Sequence, residues 1–148
     1  MNEQTILGLD VGERRIGVAI SDVEARIAAP LTTIPAHPPE RAIAQIARLV
    51  AERGVRRVVV GLPLTMRGEH GPQAAAVQRF VDALAAVLNC PVEMFDERLT
   101  SVAAEQMLRN LGVKPAKIKE QIDQVAASII LQDYLDAKVQ RKQRRSEG

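Results

Sequence analysis

Apolar residues alternate with polar or small ones in the first part of the chain, and they recur at helical spacing in the later part. The alternation predicts three strands, over about 5–11, 15–21 and 26–34. Short polar turns separate these segments, so we expect an antiparallel meander. Pro30 in the third segment predicts an edge position or an interruption, because proline cannot donate a hydrogen bond to a neighbouring strand.

Helices and strands then alternate along the chain. The predicted elements occupy, in order, residues 40–53, 57–61, 73–88 and 91–95. Gly54 follows the first helix at the position where a glycine commonly ends one. A long connector over residues 62–72 contains His70, which could move over a nearby site, since loops of this length in small domains are often functional.

Two helices complete the predicted order βββαβαβαα. Ser101 is expected to cap the first of them, and the residues from Gly112 to Pro115 end it. The last helix is expected to run from Lys117 or Lys119 to Val139. Right-handed crossovers make the two later strands parallel to the first. The predicted fold is therefore α/β, a five-stranded mixed sheet with helices on both faces.

Length and charge indicate a single domain. The chain has 148 residues, of which 47% are hydrophobic and 26% charged, which is ordinary for a globular domain. We assign residues 1–137 to the domain and residues 138–148 to a basic tail that carries five of the Lys and Arg residues. Two interpretations of the tail stay open, a nucleic-acid contact and a solvated helix end.

Several classes of protein are disfavoured by composition. No apolar run is long enough to cross a bilayer, and the first residues are not basic as in a secretory signal. Cys90 is the single cysteine, which excludes an internal disulfide and a thiolate zinc site and fits a cytoplasmic location. Aromatic residues make up 2% of the chain, too few for a module that stacks bases on aromatic side chains.

Three acidic residues interrupt or end hydrophobic segments. Asp10 follows the first apolar run, Glu97 follows the last predicted strand, and Asp123 lies at the front of the last helix. Each alone has an ordinary explanation: a turn acid, a surface acid paired with Arg98, and an acid near a helix N-terminus. Together they would repel one another by about 4 kcal/mol per pair at 4 Å and an effective dielectric of 20. A divalent cation with oxygen ligands relieves that repulsion, which points to phosphodiester cleavage.

Basic residues near these acids are candidate contacts for nucleic-acid phosphates. The candidates are Arg14, Arg15, Arg98, Lys117 and Lys119. A solvated turn or a surface ion pair is the alternative for each of them. With two histidines in the chain and neither in a motif, we assign no general base, and cleavage by two metal ions does not require one.

Four segments resemble the motifs of the YqgF/RuvX family. They are Leu9 to Asp22, Val60 to Leu64, Asp96 to Ser101, and the helix around Asp123 with Ala126 and Ala127. The resemblance implies an RNase H-like fold and a nuclease that uses Mg²⁺ or Mn²⁺, with Asp10, Glu97 and Asp123 as its acidic triad. Members are described as pre-16S ribosomal RNA processing nucleases and as Holliday junction resolvases. Glu13 departs from the family, which often has lysine there.

The leading hypothesis is a nuclease that acts on structured nucleic acid, with a ribosomal RNA precursor or its precursor particle preferred over branched DNA. A resolvase would use the same chemistry, but it needs a two-fold dimer to cut two strands symmetrically. Two other classes are considered. One is an actin-like ATPase or sugar kinase, for which the chain looks too short, and the other is a noncatalytic module that binds through the basic tail.

Overall fold

A computed structural model describes residues 4–63, 71–97 and 100–147 of the chain. Its elements are β1 (Ile6–Val11), β2 (Arg15–Ser21), β3 (Ala28–Pro35), α1 (Pro39–Arg53), β4 (Arg57–Pro63), α2 (Pro72–Val87), β5 (Val92–Glu97), α3 (Thr100–Asn110) and α4 (Pro115–Glu147). The order βββαβαβαα expected from the sequence is confirmed. No described helix is both long enough and apolar enough to cross a membrane.

The five strands form one mixed sheet in the order β3-β2-β1-β4-β5. Strands β1, β2 and β3 pair antiparallel, whereas β4 pairs parallel to both β1 and β5. The antiparallel meander and the parallel later strands are therefore both confirmed. Pro30 lies in β3 at the edge of the sheet, and the register between β2 and β3 shifts beside it, between Val18 and Ala19. An edge strand tolerates the missing N–H donor, as the sequence predicted.

Alternation along β1 divides its side chains between two hydrophobic layers. Leu7 and Leu9 belong to the core under α1 and α2. Ile6 belongs to the core on the opposite face, under α4. Since side chains two residues apart share a face of a strand, Gly8 and Asp10 lie on the α4 side. Helix α3 packs on α4 through a third cluster that includes Ala104, Leu108 and Val125.

Some element boundaries differ from those predicted. Strand β4 continues to Pro63 and β5 to Glu97, so Leu62 and Pro63 are strand rather than connector. Helix α3 begins at Thr100, so Ser101 lies inside the helix and not at its cap. Helix α4 begins at Pro115 and continues to Glu147, past the predicted end at Val139. His70 lies outside the described residues.

Helix α1 ends as its sequence predicts. Gly54 follows it with φ 62°, and the Gly54 N–H donates to the carbonyl oxygen of Val50. A positive φ of this kind is favourable for glycine, which has no Cβ to clash with the backbone.

The backbone of α4 lies directly against the sheet at Gly17. A Cβ atom added at Gly17 would lie 1.8 Å from the main-chain oxygen of Asp123. A Cβ added at Gly8 would lie 2.8 Å from the Leu131 Cβ. Neither position accepts a side chain unless α4 moves away. The two glycines therefore allow the close approach of helix and sheet.

We expect Gly17→Ala to destabilise the protein strongly, because the new methyl group meets backbone rather than a flexible side chain. The expected loss is about 3 kcal/mol or more of unfolding free energy in urea denaturation. Gly54→Ala is the matched control, because nothing lies within 4 Å of its added Cβ and only the positive φ is strained. That strain costs about 1–2 kcal/mol. Equal losses for the two variants would contradict the close approach of α4.

Candidate active site at the carboxyl edge of the sheet

Asp10 is the penultimate residue of β1 and pairs with Gly17 of β2. Residues directly opposite each other in an antiparallel pair project to the same face of the sheet. The Asp10 side chain therefore projects to the α4 face, where the backbone of Asp123 contacts Gly17. Burial, and to a smaller extent the nearby Asp123 carboxylate, together raise the pKa of Asp10 to about 6. The site thus brings two acids together and holds one of them away from water.

Asp123 lies about two turns into α4, beyond the first turn where a helix dipole favours an acid. The Arg15 Nε donates a hydrogen bond to the Asp123 Oδ2 at 2.7 Å. The Asp123 side chain is 23% exposed and that of Arg15 is 55% exposed, so the ion pair lies at the mouth of the site. The alternative in which Asp123 is an acid favoured by the helix N-terminus is therefore wrong, because the helix already begins at Pro115. Its partner is instead Arg15, a residue of β2.

Glu97 is the last residue of β5, and its backbone pairs with Pro63 at the end of β4. Strand β4 also pairs parallel with β1, so the carboxyl ends of β1, β4 and β5 lie at one edge of the sheet. The backbone of Glu97 is therefore at the same edge as Asp10. The side chain of Glu97 lies outside the described part of the chain. No group of three or more His, Cys, Asp or Glu side chains that could hold a metal occurs among the described residues.

The predicted phosphate contacts fall at different positions around this edge. Arg14 is exposed in the turn between β1 and β2, directly before Arg15. Lys117 is exposed in the first turn of α4, whose N-terminal part leads to Asp123. The side chain of Lys119 and the whole of Arg98 lie outside the described residues. Among the described residues, Arg15 is the one of these three cations for which an ion pair with an acid of the site is found.

Sequence reasoning missed the role of Gly17. The residue lies in the middle of β2, between apolar neighbours, and has no turn to form. A lone glycine inside a strand often marks a close approach of another backbone, and that signal was available. The Arg15–Asp123 contact had no comparable signal, because the two residues are 108 positions apart.

A cavity of about 760 Å³ opens on the other face of the sheet, between the β1–β2 turn and the starts of α1 and α2. Glu13, His37 and Arg79 line it together with apolar residues, whereas Asp10 and Asp123 do not. His37 Nε2 forms a hydrogen bond with the carbonyl oxygen of Glu13 at 2.8 Å. Glu13, the position at which the family often has lysine, therefore lies beside this cavity and not between the paired acids.

Comparison of the sequence with known proteins identifies the family of this chain. The model of the RuvX family, described as Holliday junction resolvase, matches residues 4–137. A protein of Chloroflexus aggregans is 99% identical over 138 residues, which cover 93% of this chain and 97% of that protein, and it is named "Putative pre-16S rRNA nuclease". A protein of the same name from a Roseiflexus species is 54% identical over 132 residues, covering 89% of this chain and 94% of the relative.

A solved structure of RuvC from T. thermophilus, in complex with a Holliday junction substrate, has a similar fold. Its TM-score is 0.56 at 18% identity, and the match covers 92% of this chain and 96% of RuvC. At this level of identity the likeness concerns the fold alone. The mixed sheet with helices on both faces is thus a fold that this chain shares with RuvC.

We expect Asp10→Asn to stabilise the protein in EDTA at about pH 8. A raised pKa means that the folded state binds the proton more tightly than the unfolded chain does. Asp10 therefore contributes most to stability below its ordinary value of 3.8, and the contribution is lost as the pH rises through about 6. The variant should gain about 1–3 kcal/mol at pH 8, and the gain should vanish near pH 4. Urea denaturation across this pH range measures it.

Asp22→Asn is the control of opposite sign. The Asp22 carboxylate accepts hydrogen bonds from the N–H groups of Ile27 and Arg26, and these bonds lower its pKa. The contribution of Asp22 to stability is present at neutral pH and lost as the pH falls through the lowered pKa, so Asp22→Asn should be less stable than the wild type at pH 8.

A large loss of stability for Asp10→Asn at pH 8 would contradict the prediction for Asp10 and make it a structural residue.

Proposed function

The chain belongs to the RuvX family and is a nuclease, and we propose that its substrate is the precursor of 16S ribosomal RNA. We further propose that Asp10, Glu97 and Asp123 hold the divalent cation that cleavage uses. One observation supports the proposed site above others: the backbone of Asp123 lies against Gly17, the strand partner of Asp10, and the Asp123 carboxylate contributes to the raised pKa of Asp10. The names of the relatives support the substrate.

The donor set fits a hard divalent cation. Asp10 and Asp123 offer carboxylate oxygens, which are the ligands that Mg²⁺ and Mn²⁺ prefer. Burial, and after it the Asp123 carboxylate, raise the pKa of Asp10 to about 6, so ionisation of Asp10 is costly in the metal-free site and a bound cation would offset that cost. Glu97 ends β5 at the same edge and is the proposed third ligand. Two ions shared by these three acids is the arrangement that we favour.

The chemistry supplied by a bound Mg²⁺ or Mn²⁺ is activation of a water molecule and stabilisation of the leaving oxygen. The protein residues hold the scissile phosphate. Arg14 is exposed in the β1–β2 turn and Lys117 in the first turn of α4, and both can bind neighbouring phosphates. Asp10 must lose its proton before it can act as a ligand, so the affinity for the cation should increase as the pH rises through about 6.

A Holliday junction resolvase is the second candidate, because the description of the family names that activity. The same acids would cut DNA at a four-way junction. Symmetric cutting of two strands needs two copies of the site related by a two-fold axis. Membership of a nuclease family sets aside the kinase-like and noncatalytic alternatives. The proposed compartment is the cytoplasm, and the proposed partners are ribosomal precursor particles.

We expect Asp10→Asn and Asp123→Asn to lower the rate of cleavage by about 10³-fold or more. Several kcal/mol of charge stabilisation in the transition state would be lost with the cation. The assay compares a 5′-extended 16S ribosomal RNA precursor with a four-way DNA junction, in Mg²⁺ and in Mn²⁺, with EDTA as the blank. Asp133→Asn is the matched control, because Asp133 is exposed on the same helix. This variant should cleave the substrate at the rate of the wild type.

The outcomes separate the candidates. Cleavage of the precursor alone supports the ribosomal function, and paired symmetric cuts in the junction by a dimer support the resolvase. Cleavage that survives both Asp10→Asn and Asp123→Asn would contradict the proposed site.

A further inference from the structure

Arg15 is the first residue of β2, and its side chain reaches α4. Its Nε donates to the Asp123 Oδ2 at 2.7 Å, which is a charge-assisted hydrogen bond. More than half of the Arg15 side chain is exposed, whereas Asp123 is largely covered. The guanidinium therefore approaches the acid from the open side of the site.

The same carboxylate is a proposed cation ligand, so two positive partners compete for it. A guanidinium beside Asp123 offsets part of the repulsion between Asp123 and Asp10 while no cation is bound. When a divalent cation binds, the guanidinium loses its advantage, because two positive groups at one carboxylate repel each other. Since the Arg15–Asp123 pair is partly exposed, it is weak enough to exchange.

We propose that Arg15 is the counter-ion of Asp123 in the metal-free protein, and that it yields this carboxylate to the divalent cation and then binds a phosphate of the nucleic acid. A released guanidinium at the mouth of the site can bind phosphate in bidentate fashion. This inference rests on the function proposed above. It adds that one residue couples the binding of the cation to the binding of the substrate.

Binding of Mn²⁺ to the protein without nucleic acid tests the first half of the inference. Calorimetry should show that Arg15→Gln binds Mn²⁺ about 3- to 30-fold more tightly than the wild type, because the cation no longer displaces a guanidinium. Arg15→Lys keeps the charge without the planar guanidinium, and its Mn²⁺ affinity should lie between those of the wild type and Arg15→Gln. Circular dichroism checks that each variant is folded.

Arg14→Gln is the matched control for charge. It removes the same charge from the preceding residue, and the described residues give Arg14 no ion pair. Its Mn²⁺ affinity should stay within about twofold of the wild type, because an exposed and solvated charge acts weakly at a distance. In an Asp123→Asn background, Arg15→Gln should no longer change the Mn²⁺ affinity, since its partner is already neutral.

Binding of nucleic acid tests the second half. With Ca²⁺ present to hold back cleavage, a labelled precursor RNA fragment and a four-way DNA junction are titrated with each protein. The wild type should bind more tightly when Ca²⁺ is added, and Arg15→Gln should lose most of that gain. An equal gain for both proteins would overturn the proposed release of Arg15 to a phosphate.

Failure of this inference can be told apart from failure of the proposed function. If Asp10→Asn and Asp123→Asn bind Mn²⁺ as the wild type does, the proposed cation site is wrong, and this inference is overturned with it. If both variants lose Mn²⁺ binding while Arg15→Gln behaves as Arg14→Gln or binds more weakly, the cation site stands and the role of Arg15 alone is overturned.

Discussion

The close approach of α4 to the sheet at Gly17 is the constraint on which the site depends. Any side chain at that position would push away the main-chain oxygen of Asp123, and the helix would move with it. Since Gly17 pairs with Asp10, the point of closest approach is also the point where the first acid projects from the sheet. One missing Cβ thus allows the backbone that carries Asp123 to lie against the strand residue that pairs with Asp10. The glycine acts on the site through the backbone of α4.

Two acids held close together repel each other, and two partners reduce that repulsion in the metal-free protein. Burial and the neighbouring acid raise the pKa of Asp10 to about 6, so a proton neutralises Asp10 in mildly acidic conditions. Arg15 donates to Asp123 and offsets its charge from the solvent side. Both are weak and reversible, because a proton and a half-exposed guanidinium exchange easily. A metal-free protein can therefore fold with its acids together and still leave them available.

The sequence predicted the elements better than it predicted the contacts between them. Alternation in β1 and β2 and helical spacing in α1 and α2 are local properties, and they identified these elements with boundaries close to those observed. Strand β5 was predicted too short because its last residues, Asp96 and Glu97, are acidic and look like the start of a loop. Asp10 was recognisable because it interrupts an apolar strand. The pairing of Arg15 with Asp123 depends on how α4 crosses the sheet, and no local pattern encodes that crossing.

The chemistry proposed for the paired acids does not by itself select RNA or DNA, because both substrates would present the same phosphodiester to the cation. Selection must therefore come from how many sites act together and from the surface around them. A four-way junction requires two such edges at a fixed separation and related by two-fold symmetry. A single cut near the end of a precursor RNA requires one such edge and exposed cations, and one chain offers Arg14 in the β1–β2 turn and Lys117 at the start of α4. The proposed ribosomal substrate thus requires one copy of the site where a junction requires two, and it agrees with the names of the relatives.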